Sequence, residues 1–179
     1  MRRSLVLILV TLLSALVLAA GCSRQDPTLS GQITLSRKVS RKTGRPIGEG
    51  DTFSPAAKSY VHGLVDFTGV SPNRTYVLHL VWVRPDGKDL FSKYAEVVQE
   101  KTSDSQVRTI ITWLDAEDLH KIQRDTLNSV EGEFRLDSRL NISTSRNRTP
   151  GPHQLRVYLD RRFLMAKDFV VTGELAPES

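Results

Sequence analysis

Apolar and polar residues alternate with a period of two along most of the chain beyond residue 30, and this period predicts β-strands. The clearest example is the segment 75–84, in which Tyr76, Leu78, Leu80 and Trp82 fall on one face. The opposite face of this segment is also mostly apolar, which is typical of a strand in the centre of a sheet.

Other segments repeat the pattern along the chain. We predict further strands over the segments 32–39, 59–67, 90–98, 106–114, 132–142, 153–159 and 162–172. The stretch 37–51 is rich in Gly, Pro and charged residues, so we expect most of it to be loop. Seven or eight short strands joined by turns predict an all-β fold, a single antiparallel β-sandwich.

The segment 115–129 departs from this period and predicts one short helix, over residues 116–128. Asp115 would cap its N-terminus, with Asp118 as a weak capping-box partner. Its apolar face would consist of Leu119, Ile122 and Leu127.

Three stretches of the predicted sandwich resemble immunoglobulin-like domains of bacterial envelope lipoproteins. They are the run from Arg45-Pro46 to Phe53, the strand end from Trp82 to Arg84-Pro85-Asp86-Gly87, and the hairpin from Pro150-Gly151 through Leu155-Arg156-Val157-Tyr158-Leu159. The resemblance implies an immunoglobulin-like sandwich with Trp82 on its central strand, and it implies no activity. Because no cysteine pair accompanies Trp82, packing alone would hold the two sheets together.

The first 22 residues have the parts of a secretory signal. Arg2 and Arg3 give a positive start, and an apolar stretch follows from residue 5 to 20, interrupted only by Thr11 and Ser14. This stretch is shorter than the roughly 20 apolar residues that span a bilayer comfortably.

The end of this stretch, Leu18-Ala19-Ala20-Gly21-Cys22, resembles the lipobox of bacterial lipoproteins, with Ala19 where that family often has Leu. The resemblance covers residues 1–22 and implies that the Cys22 thiol receives a diacylglyceryl group and that cleavage after Gly21 leaves Cys22 as the acylated first residue. Several acyl chains, each contributing about 0.8 kcal/mol per buried methylene, make a stable anchor. Ser23 lacks the acidic side chain of the inner-membrane retention signal, which favours the outer membrane. The alternatives are an ordinary signal peptide that includes a cysteine, or an uncleaved anchor.

The chain therefore divides into four predicted segments. They are a lipoprotein signal peptide with a helix (1–21), a lipidated tether (22–30), the β-sandwich (31–172) and a C-terminal tail (173–179). We expect the protein in the bacterial cell envelope, anchored to a membrane by its N-terminal lipid.

Composition narrows the class of protein further. Apolar residues make up 39% and charged residues 25% of the chain, which excludes a wholly disordered chain. The net charge is +5, and Arg2 and Arg3 supply two of these charges, so the balance is too mild to indicate a nucleic-acid partner. A single cysteine excludes internal disulfides and zinc sites built from several thiolates.

No motif has the spacing of a catalytic or metal site. The four histidines, His62, His79, His120 and His153, lie apart along the chain without HxH or HExxH spacing. One weak metal interpretation places His62 and His79 as neighbours across a sheet. The sequence predicts no catalytic residue, no metal ligand, no cofactor and no enzymatic activity.

Five cations lie close together in the first predicted loop: Arg37, Lys38, Arg41, Lys42 and Arg45. Next to a lipidated N-terminus, such residues would contact anionic headgroups, and each contributes about 1 kcal/mol to membrane binding near the surface. The alternative is a solvated basic loop.

We therefore expect a non-catalytic β-sandwich, held on a membrane by its N-terminal lipid, that binds or scaffolds a protein or glycan partner in the envelope. The alternative is a metal-handling or enzyme-like lipoprotein with a site among the loops at the ends of the sandwich.

Overall fold

The computed structural model describes residues 29–56, 58–144, 147 and 149–173, and these form an all-β fold of two sheets. No helix occurs within these ranges. The strands are β1 (Ser30–Val39), β2 (Pro46–Glu49), β3 (Thr52–Phe53), β4 (Tyr60–Thr68), β5 (Thr75–Val83), β6 (Asp89–Lys101), β7 (Val107–Leu114), β8 (Lys121–Ser129), β9 (Glu133–Asn141), β10 (Gly151–Leu159) and β11 (Arg162–Val171).

The two sheets differ in size. The four-stranded sheet has the order β2-β1-β4-β9, and the seven-stranded sheet has the order β3-β11-β10-β5-β6-β7-β8. β5, the strand with the strongest apolar pattern, is in the middle of the larger sheet, as its two apolar faces predicted. The side chains of β8, at the edge of that sheet, are exposed or half-buried, so β8 lies beyond the shared core.

The core forms where the inner faces of the two sheets meet, and Trp82 is at its centre. The Trp82 side chain is only 1% exposed, and its ring meets Phe169 edge-on at 5.6 Å between centroids. Its indole Nε1 donates a hydrogen bond of 3.0 Å to the Ser138 hydroxyl of the opposite sheet. The predicted role of Trp82 as the core tryptophan of the central strand is therefore confirmed.

A glycine in β4 permits the close approach of the sheets at this point. A Cβ placed on Gly63 would lie 2.3 Å from Cδ2 of Leu155 and 3.3 Å from the ring of Trp82. Both of these neighbours belong to the seven-stranded sheet, so the absence of a side chain at Gly63 makes room for the packing between the sheets.

The predicted helix over residues 116–128 is wrong. Asp115 does accept hydrogen bonds from the backbone N–H groups of Glu117 and Asp118, as a capping residue would. The helical turn ends at Leu119, whose positive φ of 59° takes the backbone out of the helical region. The chain then pairs with β7 as strand β8. The side chains expected to form the apolar face of a helix are exposed, Leu119 by 51%, Ile122 by 58% and Leu127 by 40%.

Two further details differ from the sequence prediction. The sheets are not purely antiparallel, because β3 pairs with β11 in parallel. Within residues 37–51, only the central part is loop, since β1 continues to Val39 and β2 returns along it, with Lys38 opposite Ile47.

Several predictions concern residues outside the described ranges. The signal-peptide helix (1–21), the cleavage site at Gly21, the lipidated Cys22 and most of the C-terminal tail belong to this group. Among the described residues, no helix has the length and hydropathy to cross a bilayer.

Candidate functional site

A row of aromatic rings crosses the outer face of the seven-stranded sheet. Cross-strand pairing places Tyr158 opposite His79, and His79 opposite Tyr94, while Phe163 of β11 lies opposite Tyr158 on the other side. The His79 and Tyr94 rings stack at 4.0 Å with an angle of 6° between their planes. Tyr158 stacks on His79 at 5.5 Å, and Phe163 meets Tyr158 edge-on at 5.8 Å. Four adjacent strands thus form one apolar strip on a face that the other sheet does not cover.

The imidazole inside this stack is held neutral. Burial between the two tyrosine rings lowers the pKa of His79, and the charge of Asp89 opposes the shift only in part. Its Nε2 is buried and has no hydrogen-bond partner among the described residues. A neutral imidazole in this position stacks on both tyrosine rings without bringing a charge into the row.

A cavity of about 600 Å³ opens over this row. Pockets that bind small organic molecules have volumes of roughly 300–1,000 Å³. The lining combines aromatic, aliphatic and charged side chains: Val77, His79, Tyr94, Glu96, Leu114, Ala116, Glu117, Leu119, Tyr158 and Arg161. We call this space the outer-face cavity.

One wall of the outer-face cavity is the turn between β10 and β11. Asp160 and Arg161 both have positive φ, 49° and 65°, as in the tight two-residue turns of hairpins. The Asp160 carboxylate fastens this turn to the start of β5, because it accepts hydrogen bonds of 2.9 Å from Val77 N–H and from the Arg74 guanidinium. Arg161 therefore lines the cavity from a turn that these hydrogen bonds hold in place.

The opposite wall is the turn between β7 and β8, where the sequence pattern predicts the start of a helix. It supplies Leu119 and Glu117 to the cavity. A backbone hydrogen bond from Leu119 N–H to the Asp115 carbonyl closes the turn.

The same turn brings three metal-ligating side chains together. Oxygen or nitrogen atoms of Asp115, Asp118 and His120 lie within 4.8 Å of one another. The Asp118 carboxylate lies 2.5 Å from Nδ1 of His120, and this hydrogen bond lowers the pKa of Asp118 and raises the pKa of His120. The sequence pattern does not predict this group, because the helix that it favours would place these side chains differently.

The five predicted surface cations all lie on one hairpin, formed by the end of β1, the turn after it and the start of β2. We call Arg37, Lys38, Arg41, Lys42 and Arg45 the basic hairpin. All five are exposed, and in the described part of the chain none of them forms an ion pair. Because Arg37 and Lys38 are neighbours in a strand, they point to opposite faces, so the hairpin is charged on both sides.

The structure does not bring the other histidines into one site. His62 is in β4 and His79 is in β5, which belong to different sheets, so the pair on which the weak metal interpretation depended does not form. His62 instead lies 3.1 Å from the Asp137 carboxylate. His153 is buried against Phe169, and its Nδ1 donates to the Gly151 carbonyl at 3.0 Å.

The outer-face cavity itself was missed from the sequence. Its one sequence signal was the presence of aromatic side chains at the solvent-facing positions of strands, notably Tyr94 and Tyr158. Those positions become a site only when four strands, distant in sequence, pair in the observed register.

No protein-family model matches the chain, and no curated protein matches it. Among solved structures, an immunoglobulin-like protein from Pseudomonas aeruginosa is similar over 83% of this chain and 99% of its own, with 14% identity and a TM-score of 0.43. The alkylpurine DNA glycosylase of Pseudomonas fluorescens, solved with DNA that contains an abasic-site analogue, is similar over 82% of this chain, with 10% identity and a TM-score of 0.40. This chain spans 31% of the glycosylase. At these values, neither structure identifies a family or an activity for the chain.

Proposed function

We propose that this chain is a bacterial envelope lipoprotein, anchored through an acylated Cys22, whose sandwich is an immunoglobulin-like, non-catalytic module that binds a protein or glycan partner. The anchor rests on the sequence Leu18-Ala19-Ala20-Gly21-Cys22 and on the apolar stretch before it. The immunoglobulin-like assignment rests on the two-sheet fold with Trp82 at its centre.

The observation that carries the binding role is the outer-face cavity. Most solvent-facing positions of a sheet carry polar side chains, whereas this face carries a row of stacked rings with exposed apolar neighbours. Phe163 is 58% exposed, Leu119 51% and Val77 39%. A contiguous apolar surface with polar groups at its rim is typical of a binding site.

The basic hairpin fits the proposed anchor. β1 has ten residues, so its two ends are about 30 Å apart at 3.3 Å per residue. The proposed tether of residues 22–30 reaches about as far when extended. The sandwich can therefore lie along an anionic membrane with the hairpin against the headgroups. The hairpin belongs to the four-stranded sheet, so this arrangement leaves the outer-face cavity of the other sheet accessible.

Two measurements test the proposal. Mass spectrometry of the purified protein should show Cys22 as an acylated first residue, and the Cys22→Ala variant should remain uncleaved or be processed elsewhere. An unmodified Cys22 in the wild-type protein would refute the anchor.

The binding role is tested separately by photo-crosslinking in intact cells. A photoreactive amino acid at position 119, in the cavity wall, should give a discrete crosslinked product. The matched control is position 122, which has a similar exposure, 58% against 51% for Leu119, but lies outside the cavity lining. Equal crosslinking from both positions, or none from position 119, would refute binding at the cavity.

The second candidate function is metal handling by the turn between β7 and β8. The observation in its favour is the convergence of Asp115, Asp118 and His120. Carboxylate and imidazole groups together suit divalent transition metals. Purified protein would then retain metal in a one-to-one ratio, and the Asp118→Asn variant would lose it. Metal below one-tenth of the protein concentration would eliminate this candidate.

A further inference from the structure

Unused hydrogen-bonding groups converge on the outer-face cavity. The Glu117 carboxylate, the Arg161 guanidinium and the hydroxyls of Tyr94 and Tyr158 have no side-chain hydrogen-bond or ion-pair partner among the described residues. Among the described residues, the one ion pair of Glu96 is at 3.6 Å to Lys121, whose side chain is 71% exposed. The cavity therefore offers acceptors, donors and hydroxyls to a ligand without breaking its own contacts.

Apolar surface lies directly beside these groups. The described ring contacts cover only one face of Tyr94, since its single stacking partner is His79. Val77, Leu114 and Leu119 add aliphatic surface to the lining. A ligand in this cavity meets an aromatic and aliphatic floor with polar groups around it.

The lining carries charges of both signs, the carboxylates of Glu96 and Glu117 and the guanidinium of Arg161. A ligand with charge of a single sign would therefore meet at least one like charge in the cavity. A purely apolar ligand would cover Glu117 and Arg161 without offering partners, at a cost of about 1–3 kcal/mol or more for each group left unpaired. An uncharged ligand that has many donors and acceptors as well as apolar faces can pair with these polar groups and also cover the rings.

Sugar rings have this combination, because each hydroxyl both donates and accepts while the ring C–H groups form an apolar face. We infer that the outer-face cavity binds a neutral oligosaccharide. This inference rests on the proposed function, and it specifies the partner as a glycan and the site as the cavity between the two turns. The cavity volume of about 600 Å³ lies within the range of sites that bind small organic molecules, so a longer chain of sugars would extend beyond it.

The test measures binding of the full chain, purified in detergent, to three neutral probes by isothermal titration calorimetry. The probes are chitohexaose, cellohexaose and maltohexaose, which differ in linkage and in N-acetylation. At least one should bind saturably. The variants Tyr94→Ala and Arg161→Ala should each weaken that binding tenfold or more, with thermal unfolding confirming that the fold persists.

The matched control is Tyr60→Ala, which removes a tyrosine from the outer face of the other sheet, where Arg139 lies 5.4 Å from its ring. This variant should bind as the wild-type protein does. Equal losses from Tyr60→Ala and Tyr94→Ala would overturn the inference, as would binding that Tyr94→Ala leaves unchanged. The inference would also be overturned if a charged probe, either the deacetylated glucosamine hexamer or hexagalacturonate, bound more tightly than all three neutral probes.

Failure of this inference is distinguishable from failure of the proposed function. If none of the three neutral probes binds while position 119 still crosslinks to a protein, the glycan inference is wrong and the binding role stands. If no probe binds and position 119 gives no crosslink, both are wrong.

Discussion

Adding one methyl group between the sheets tests the central packing of the sandwich. Gly63 of β4 faces Leu155 and Trp82 of the opposite sheet, and the variant Gly63→Ala introduces a Cβ into this contact. The new atom would lie 2.3 Å from Cδ2 of Leu155 and 3.3 Å from the ring of Trp82. Normal carbon contacts are about 3.5–4.0 Å, so at least one neighbour must move.

The expected cost follows from how little freedom those neighbours have. Leu155 is fully buried, and Trp82 is held by its hydrogen bond to Ser138. Overpacking of a filled core typically costs about 1–3 kcal/mol, and we expect Gly63→Ala to fall in this range. Leu155→Val removes the clashing atom and by itself should cost about 1 kcal/mol, as for the loss of one buried methylene.

The assay is urea unfolding of the wild-type protein, both single variants and the double variant. Because Leu155→Val makes room for the new methyl group, the double variant should be at least 0.5 kcal/mol more stable than the sum of the single effects predicts, a coupling typical of residues in contact. Additive effects would contradict the observed contact between β4 and β10. A Gly63→Ala variant as stable as the wild-type protein would contradict the close approach of the two sheets.

Three further predictions concern other parts of the molecule. Ser138→Ala should cost about 1–3 kcal/mol of unfolding free energy, because it leaves the buried Nε1 of Trp82 without an acceptor, whereas Ser30→Ala, at an exposed hydroxyl pair, should cost much less. Burial lowers the pKa of His153 below the ordinary value of 6.5, so the unfolded chain binds more protons than the folded protein in mild acid. The stability that neutral His153 contributes is present above pH 6.5 and is lost as the pH falls through the lowered pKa of the folded protein. His153→Leu should therefore flatten the dependence of unfolding free energy on pH between about pH 7.5 and 5.5. Changing all five residues of the basic hairpin to Gln should abolish salt-sensitive binding to anionic vesicles while changing stability by no more than about 0.5 kcal/mol; unchanged vesicle binding would leave the hairpin as a solvated loop.

The strands and the core tryptophan were predictable because their signal is local. Alternation with a period of two places Leu78, Leu80 and Trp82 on one face wherever the strand lies in the sheet, and this face is buried. The five cations of the basic hairpin are close in sequence, so a single turn keeps them on one hairpin, and their contact with a membrane stays a prediction.

The predicted helix that does not form shows the limit of local sequence signals. Asp115 accepts the hydrogen bond of a helix cap, as its sequence position predicted. The positive φ of Leu119 then ends the helical turn. Pairing with β7 then outweighs helix propensity for the residues that follow. Nothing in the sequence pattern indicated that β7 would present an open edge at this point.

The outer-face cavity depends on register between distant strands. His79, Tyr94 and Tyr158 are far apart in sequence, and a shift of one residue in either pairing would turn one ring to the other face of the sheet. Sequence reasoning identified these residues as strand positions, and only the strand pairing shows that they stack.

Hydroxyl-radical footprinting tests most directly whether the outer-face cavity is occupied in the cell. Tyr94, Tyr158 and Leu119 should be oxidised more slowly in intact cells than in the purified protein, because a bound partner covers them. Phe91 and Ile122, which are exposed outside the cavity, should be oxidised at the same rate in both samples. Equal oxidation of Tyr94 in cells and in the purified protein would contradict the account.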